Sequence, residues 1–463
     1  MPRTDADRSA ALRLLPSVDQ LLRHDALAKL SKPAVTRVVR ELVDELRAAA
    51  LDGSMDVDAI QRRCATSALV SEVTGRCEAM QRRRHERVYN ATGIVLHTGI
   101  GRAPLAPAAI DAVAAAAGYA IVEVDPVTGQ RDQREVAVAS LLTELTGAGG
   151  ALIVNNNAAA TTLMLAALTA GTEVVVSRGE LVEIGGGFRV PDVMKRAGCE
   201  MVEVGATNKT HVADFRGATT ERTSAFLKVH PSNFRIEGFA STPSVQELRD
   251  LADASEGDVQ VLDDLGSGLL WDEPLPGLGE EPRVSGSLKQ GAHVTCFSGD
   301  KLLGGPQCGI LLGDAARIAR CRAHPLYRAM RCDKLTHAAL EATLLLYRDA
   351  NPLRTIPTLQ MLSAVPEGLR DRAQSLATLL GDFGAEVVAS DSFAGSGANP
   401  AKPLPSFATA FPGGDRECDL LRASRPVSVF ARVADGKVML DARSLLLEDL
   451  DAVALAVRQA LSE

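Results

Sequence analysis

Residues 297–311 read FSGDKLLGGPQCGIL, from Phe297 to Leu311. The preceding AHVT extends the segment backwards into a short apolar run, so Lys301 stands just past a strand end and just before a glycine-rich turn. An amine held in an apolar, partly desolvated place has a lowered pKa, which frees its lone pair to attack a carbonyl. Taken alone, a lysine before Gly-Gly equally describes a solvated loop residue. The rest of the chain has to decide.

Working outward, GGALIVNNNAAATTLMLAAL, GTEVVVSRGEL, CEMVEVGATNKT, TSAFLKVHPSNF and DVQVLDDLGSG share one form with AHVTCFSGDK. Each is a short apolar run followed by a glycine or polar turn. Repetition of strand, loop and helix predicts a mostly parallel sheet covered on both faces. Ligands of such sheets gather at the carboxyl ends of the strands, where these turns lie.

Before Tyr89 the pattern is helical, with Leu15, Val18, Leu21 and Leu22, then Val35, Val38, Val39, Leu42, Val43 and Leu46, at amphipathic spacing. In the last third, strand-like residues alternate around Ala434-Asp435-Gly436, a hairpin signal. LEDLDAVALAVRQAL reads as a terminal helix with Glu448 and Asp449 in its first turn, and GSGANPAKPLP as only a loop. The expected organisation is a helical module over residues 1–65, a linker helix over 66–88, a large α/β domain over 89–337 and a small α+β domain over 338–463.

Composition sets the outer limits. The chain has 463 residues, 3% of them aromatic, so its core is expected to pack small aliphatic side chains. The start is polar and no long apolar run follows, which predicts a soluble, cytoplasmic protein with no membrane partner. Eight cysteines show no metal-site spacing and are expected as buried thiols. Net charge is minus 8, yet residues 1–90 carry 16 Lys and Arg against 13 Asp and Glu, including QRRRHER at 81–87. An all-over nucleic-acid coat is excluded, and any such contact is confined to basic strips.

A lysine that forms a Schiff base most often does so with pyridoxal 5'-phosphate, which needs an anion cup and a carboxylate facing the pyridine nitrogen. NNNAAATT, residues 155–162, follows the strand ALIV and opens a helix, so its amides with Asn156 or Asn157 can hold an anion. Asp264, after VQVL, is the candidate to keep the ring nitrogen protonated. Ser298, three residues before Lys301, can offer a hydroxyl to the phosphate. An Asp after a buried strand is also a common turn former, and three asparagines can simply cap a helix.

YNATGIVLHTGIGRAPL, LTGAGGALIVNNNAAATTL, VSRGELVEIGGGFRVPDVM, VEVGATNKTH, LKVHPSNFRI, FSGDKLLGGPQCGI and HPLYRAMRCDKLTHAALEATL together resemble bacterial selenocysteine synthases, the L-seryl-tRNA(Sec) selenium transferases. The opening LPSVDQLL resembles the family's start, so the likeness spans nearly the whole chain. It implies a fold-type I pyridoxal-phosphate transferase that converts seryl-tRNA(Sec) to selenocysteinyl-tRNA(Sec) through an aminoacrylyl intermediate, with selenophosphate as donor. By resemblance Lys301 carries the cofactor, Asp300 assists proton handling, Gly305 belongs to the cofactor turn, and Arg102, Arg328 and Arg331 line the donor's anion site. It further implies an N-terminal domain that grips tRNA and a homo-oligomeric ring of dimers, a decamer.

Two stretches depart from the family pattern. Arg131-Asp132-Gln133-Arg134 stands where R-G-S-R is expected, which puts that loop's cofactor or partner-subunit role in question. Thr98-Gly99-Ile100-Gly101-Arg102 replaces T-N-L-G-R, keeping the arginine but losing an amide. A tRNA-independent lyase of the same fold and a non-catalytic tRNA-binding protein are the alternatives. The helical module counts against the first, and the Ser298, Lys301 and Asp264 set against the second.

Overall fold

The computed structural model describes residues 5–81, 85–232, 234, 236, 238–275, 278–279, 281–395, 397 and 402–462. It divides into two compact units, Met1–Arg87 and Val88–Glu463.

The first unit is all helical. Its longest helix, Lys32–Asp52, starts on Pro33 and stops at Gly53, whose left-handed backbone (φ 77°) no helix continues through. Val35, Val38, Val39, Leu42, Val43, Leu46 and Ala50 form its buried stripe, joined by Leu21, Leu27 and Ile60. Helix Thr66–Gln81, expected as a linker, is integral to this core, because Leu69, Val73 and Cys77 on one of its faces are fully buried in it. Arg76 reinforces the packing with hydrogen bonds to Glu45 (2.7 and 2.6 Å) and Glu72 (2.7 Å). Residues 82–84 of the basic QRRRHER stretch lie outside the described residues.

In the second unit a seven-stranded sheet comprises β1 (Gly150–Val154), β2 (Glu173–Ser177), β3 (Glu200–Val204), β4 (Thr223–Val229), β5 (Gln260–Gly266), β6 (Val294–Ser298) and β7 (Gly309–Gly313). The order is β1-β7-β6-β5-β4-β2-β3. Only β7 runs antiparallel to its neighbours; the other pairings are parallel. Alternation along the strands divides two cores. Leu152, Val176, Leu227, Leu262 and Leu311 meet helix Asn157–Thr169, while Ile153 and Ile310 face helices Val136–Thr146 and Lys334–Asp349. Coverage on both faces explains the near-continuous apolar runs.

A second sheet orders Arg432–Ala434, Lys437–Asp441, Pro403–Pro412, Glu386–Gly395 and Ile94–Leu96. Its hairpin turns on Asp435 (φ 51°) and Gly436 (φ 72°), the two left-handed residues such a tight turn needs. The last strand corrects the expected boundary at 89. Ile94–Leu96 pairs in parallel with Glu386–Gly395, and Val88–Asn90 with Ser428–Phe430, so residues 88–96 belong by pairing to the C-terminal part. The terminal helix is Leu450–Leu461, and Glu448 and Asp449 precede it in a 3-10 turn rather than opening it. All eight cysteines are free thiols, seven of them buried. Among the described residues, no helix is long and apolar enough to cross a membrane.

Candidate active site

The carboxyl ends of β4, β5 and β6 converge on Lys301. Its side chain is 5% exposed. Burial lowers its pKa, Arg102 lowers it further, and Asp264, Asp300 and Glu281 pull the other way. The solvated-loop reading is therefore overturned. The turn is pinned from behind, since Gly304 N donates to Lys301 O (3.0 Å) and Leu302 N to Ser267 O (3.1 Å).

Asp264 is buried within β5 and accepts from Asn157 Nδ2 (2.8 Å), Thr161 Oγ1 (2.8 Å) and Gly266 N (3.1 Å). Burial pushes its pKa up; these donors and Lys301 act against that. The asparagine loop works differently from expectation. Asn156 is the N-cap of helix Asn157–Thr169 and its Oδ1 accepts from Ala159 N at 2.8 Å, while Asn157 holds Asp264. Any anion at this helix start is left to backbone amides and to side chains other than these two bonded groups.

Asp300, buried beside the lysine, pairs with Arg102 at 2.8 Å, across 198 positions of sequence. Arg102 takes the left-handed conformation (φ 61°), unusual outside glycine, with its amide on His97 O at 3.0 Å. In the altered loop His97 Nδ1 accepts from Gly99 N (3.1 Å). Ser298 is buried and ends β6, opposite Gly309. Gly305 faces elsewhere: its amide bonds Gly299 O at 2.9 Å, and a methyl on it would meet Leu303 and Leu340.

Among the described residues the two other arginines make no hydrogen bond or ion pair with this cluster. Arg328 is exposed on helix Pro325–Met330, and Arg331 lies over the Tyr327 ring at 5.2 Å. Their segment does reach the asparagine loop, where Asn155 N donates to Met330 O (2.9 Å). The Arg131–Arg134 departure folds back on its own neighbourhood, with both arginines on Glu123 and Arg134 also on Cys332 O.

Four further groups join the site. Gly397, in the stretch read only as a loop, has φ 84°, and a methyl there would fall 2.2 Å from Lys301 Nζ. His230 follows β4, and its pKa is lowered to about 4 by burial and then by Lys228 and Lys301. Glu281 is pushed up to about 7 by burial, with Ser267 and Lys301 opposing. Thr161 holds Asp264 as described. His230 occupies the same strand-end position that singled out Asp264 and was legible by that logic. Glu281 carries no local signal in the sequence.

Pyridoxal phosphate fits these residues. Asn157 Oδ1, Ser232 Oγ, Ser267 Oγ, Glu281 Oε1 and Asp300 Oδ1 are buried without a partner. Buried polar atoms are rarely left so, and several at one strand-end cleft indicate that a polar group belongs there. Lys301, Asp264 and the start of helix Asn157–Thr169 are the groups that could hold its aldehyde, ring nitrogen and phosphate.

Comparison with known proteins agrees. The family described as L-seryl-tRNA selenium transferase matches residues 88–446, and the family described as selenocysteine synthase N terminal matches residues 12–47. The chain is 44% identical to the L-seryl-tRNA(Sec) selenium transferase of Moorella thermoacetica, with 97% of each chain covered. It is also 44% identical to that of Solidesulfovibrio magneticus, covering 97% of this chain and 98% of the relative. A solved structure of D-glucosaminate-6-phosphate ammonia-lyase shares the fold, with a TM-score of 0.56 at 21% identity over 81% of this chain and 95% of that one. The architecture is that of a fold-type I pyridoxal-phosphate enzyme. A buried strand-end lysine, the carboxylate behind it and full-length similarity thus lead to one conclusion: the chain belongs to the L-seryl-tRNA(Sec) selenium transferase family.

Proposed function

We propose that this protein converts seryl-tRNA(Sec) to selenocysteinyl-tRNA(Sec) with pyridoxal phosphate as cofactor and selenophosphate as donor, in selenoprotein biosynthesis in the cytoplasm. The observation that carries the reading is the buried, pKa-lowered Lys301 beside Asp264 in a chain of this family. When bound, the cofactor supplies an electron sink for the pair left at the seryl α-carbon. Lys301 would be the residue that holds the cofactor's aldehyde, and its Nζ would serve as the base that takes the seryl α-proton. Asp264, held by Asn157 and Thr161, would be the carboxylate that partners the cofactor's ring nitrogen. Arg102 orients Asp300 at the lysine's side.

Arg102, Arg328 and Arg331 are assigned to the donor's phosphate, because a planar guanidinium grips phosphate with two parallel bonds. Ser298 and the amides opening helix Asn157–Thr169 are assigned to the cofactor phosphate. Residues 1–65 are assigned to tRNA contact. The net positive balance of residues 1–90 supports this and predicts salt-sensitive binding. Assembly into a ring of dimers is supported by Tyr119, Ile121 and Val127, large apolar side chains that are exposed in the single chain.

The test is to incubate purified protein with seryl-tRNA(Sec) and selenophosphate and follow selenium into the aminoacyl product. Transfer by the wild type that is lost in Arg328→Ala, with the cofactor's visible band unchanged, is the expected result. A folded, cofactor-loaded wild type that transfers no selenium refutes the function.

A further inference from the structure

We propose that the cavity past the carboxyl ends of β2, β3 and β4 is the seat of the substrate tRNA's terminal adenosine, the nucleoside that carries the serine. This rests on the function proposed above and names the part of the substrate that this side of the site takes. The ribose of such a substrate is esterified to the same amino acid whose α-carbon has to meet the lysine. The nucleoside therefore occupies space that borders the lysine directly.

The structure offers such a space. The cavity measures about 640 Å³, within the range of about 300–1,000 Å³ that small ligands fill. His230 and Pro231 line it, and the next residue leads to the lysine. A methyl on Gly266 would lie 3.4 Å from Ser232 Oγ and 3.9 Å from Lys301 Nζ, so those two atoms border one gap. His230 N also donates to Asp264 O at 2.9 Å. From the other side, Gly397 against Lys301 Nζ and Lys402 on the cavity stand only five positions apart.

The walls are braced. Thr210 N donates to Ser241 O (2.9 Å), Ser241 N to Asn208 O (3.0 Å) and Asn208 Nδ2 to Phe239 O (2.7 Å), which ties the turn after β3 to the segment opposite. Glu180 is already occupied by Lys228 Nζ (2.8 Å), Thr242 Oγ1 (2.7 Å) and Val229 N (3.1 Å). What is left over matches a nucleotide. Glu281 has a side chain only 2% exposed and an Oε1 with no hydrogen-bond partner among the described residues, and on this wall it can accept from a ribose hydroxyl or a base amine. Phe234 and Ile236 make an apolar side, and Phe234 is a partly exposed ring of the kind on which unpaired bases stack. Lys209 and Lys402 carry no ion pair among the described residues and suit the phosphate that joins the last nucleotide to the chain. A free phosphate would use the two lysines and leave the apolar side and the Glu281 oxygen unused.

The experiment measures, by filter retention at constant salt, the binding of uncharged tRNA(Sec) ending in CCA and of the same tRNA without its terminal adenosine. Wild type, Phe234→Ala and the double variant Lys209→Ala with Lys402→Ala are compared. Wild type is expected to hold the complete tRNA about tenfold more tightly, the scale of one base stacked on an aromatic ring. Both variants are expected to bind the two tRNAs alike, at the wild type's affinity for the shortened one, with circular dichroism and the cofactor's visible band unchanged. Adenosine 5'-monophosphate is expected to abolish the tenfold preference in the wild type, and inorganic phosphate at equal ionic strength to leave it in place. Equal wild-type binding of the two tRNAs, or a preference that survives in either variant, overturns the assignment. Phosphate acting as well as the nucleotide also overturns it and makes the cavity a bare anion site. Failure of the proposed function reads out separately, as a folded, cofactor-loaded wild type that transfers no selenium.

Discussion

Replacing Asn157 by alanine separates two roles for the same side chain. If it held an anion, its loss would weaken cofactor phosphate binding. In the structure its Nδ2 donates to Asp264 at 2.8 Å, so its loss removes one of three bonds to a buried carboxylate. A hydrogen bond to a charged group contributes about 1.5–3 kcal/mol, and partial exposure of Asn157 favours the lower end, about 1.5 kcal/mol. Losing that donor should push the Asp264 pKa further up. The direction follows because burial raises this pKa and the Asn157 hydrogen bond is the first of the contacts that hold it down. In acid, with the carboxyl protonated in both proteins, stabilities should coincide. As pH rises through the folded pKa of the wild type, the variant should fall behind, and the gap should level off at about 1.5 kcal/mol. Urea unfolding of the cofactor-free protein across a pH series measures this directly. A gap that is absent at neutral pH, or that has the same size at every pH, refutes the assignment of Asn157 to Asp264.

Gly397→Ala forces a methyl against the lysine side chain from a left-handed backbone, so it should impair cofactor attachment, read as a weakened visible band, while melting temperature changes little. Arg102→Ala removes a cation that depresses the Lys301 amine, so the pH at which that amine loses its proton should move upward in a spectrophotometric titration. An unmoved titration would disprove the coupling. Leu46→Ala empties a fully buried site in the helical unit and should cost about 2–5 kcal/mol there, seen as an earlier unfolding transition by circular dichroism.

What could be read ahead of the structure follows from which forces are local. Continuous apolar runs ending in turns revealed the sheet, because strands covered on both faces have no polar side to show. Asp264 and Lys301 were legible as polar residues closing such runs. The job of Asn157 was not, because a helix-opening asparagine looks the same whether it meets an anion or a carboxylate 107 positions away. Glu281 and Gly397 stand in stretches of sequence with no hydrophobic periodicity, so nothing local marks them. Residues 89–96 were given to the large domain for a similar reason. Their strands are ordinary in sequence, and only their partners, about 300 residues onward, assign them to the other sheet.

That pairing ties the chemistry to both sheets at once. Arg102 is carried a few residues past Ile94–Leu96 and Gly397 just past Glu386–Gly395, two adjacent strands of the C-terminal sheet, whereas Asp300 and Lys301 follow directly on β6 of the other. The 2.8 Å Arg102–Asp300 contact is thus a strut between separately built layers, and the amine's readiness to react depends on how they are docked. A substitution deep in the smaller layer, far from any ligand, can detune the lysine simply by tilting its support.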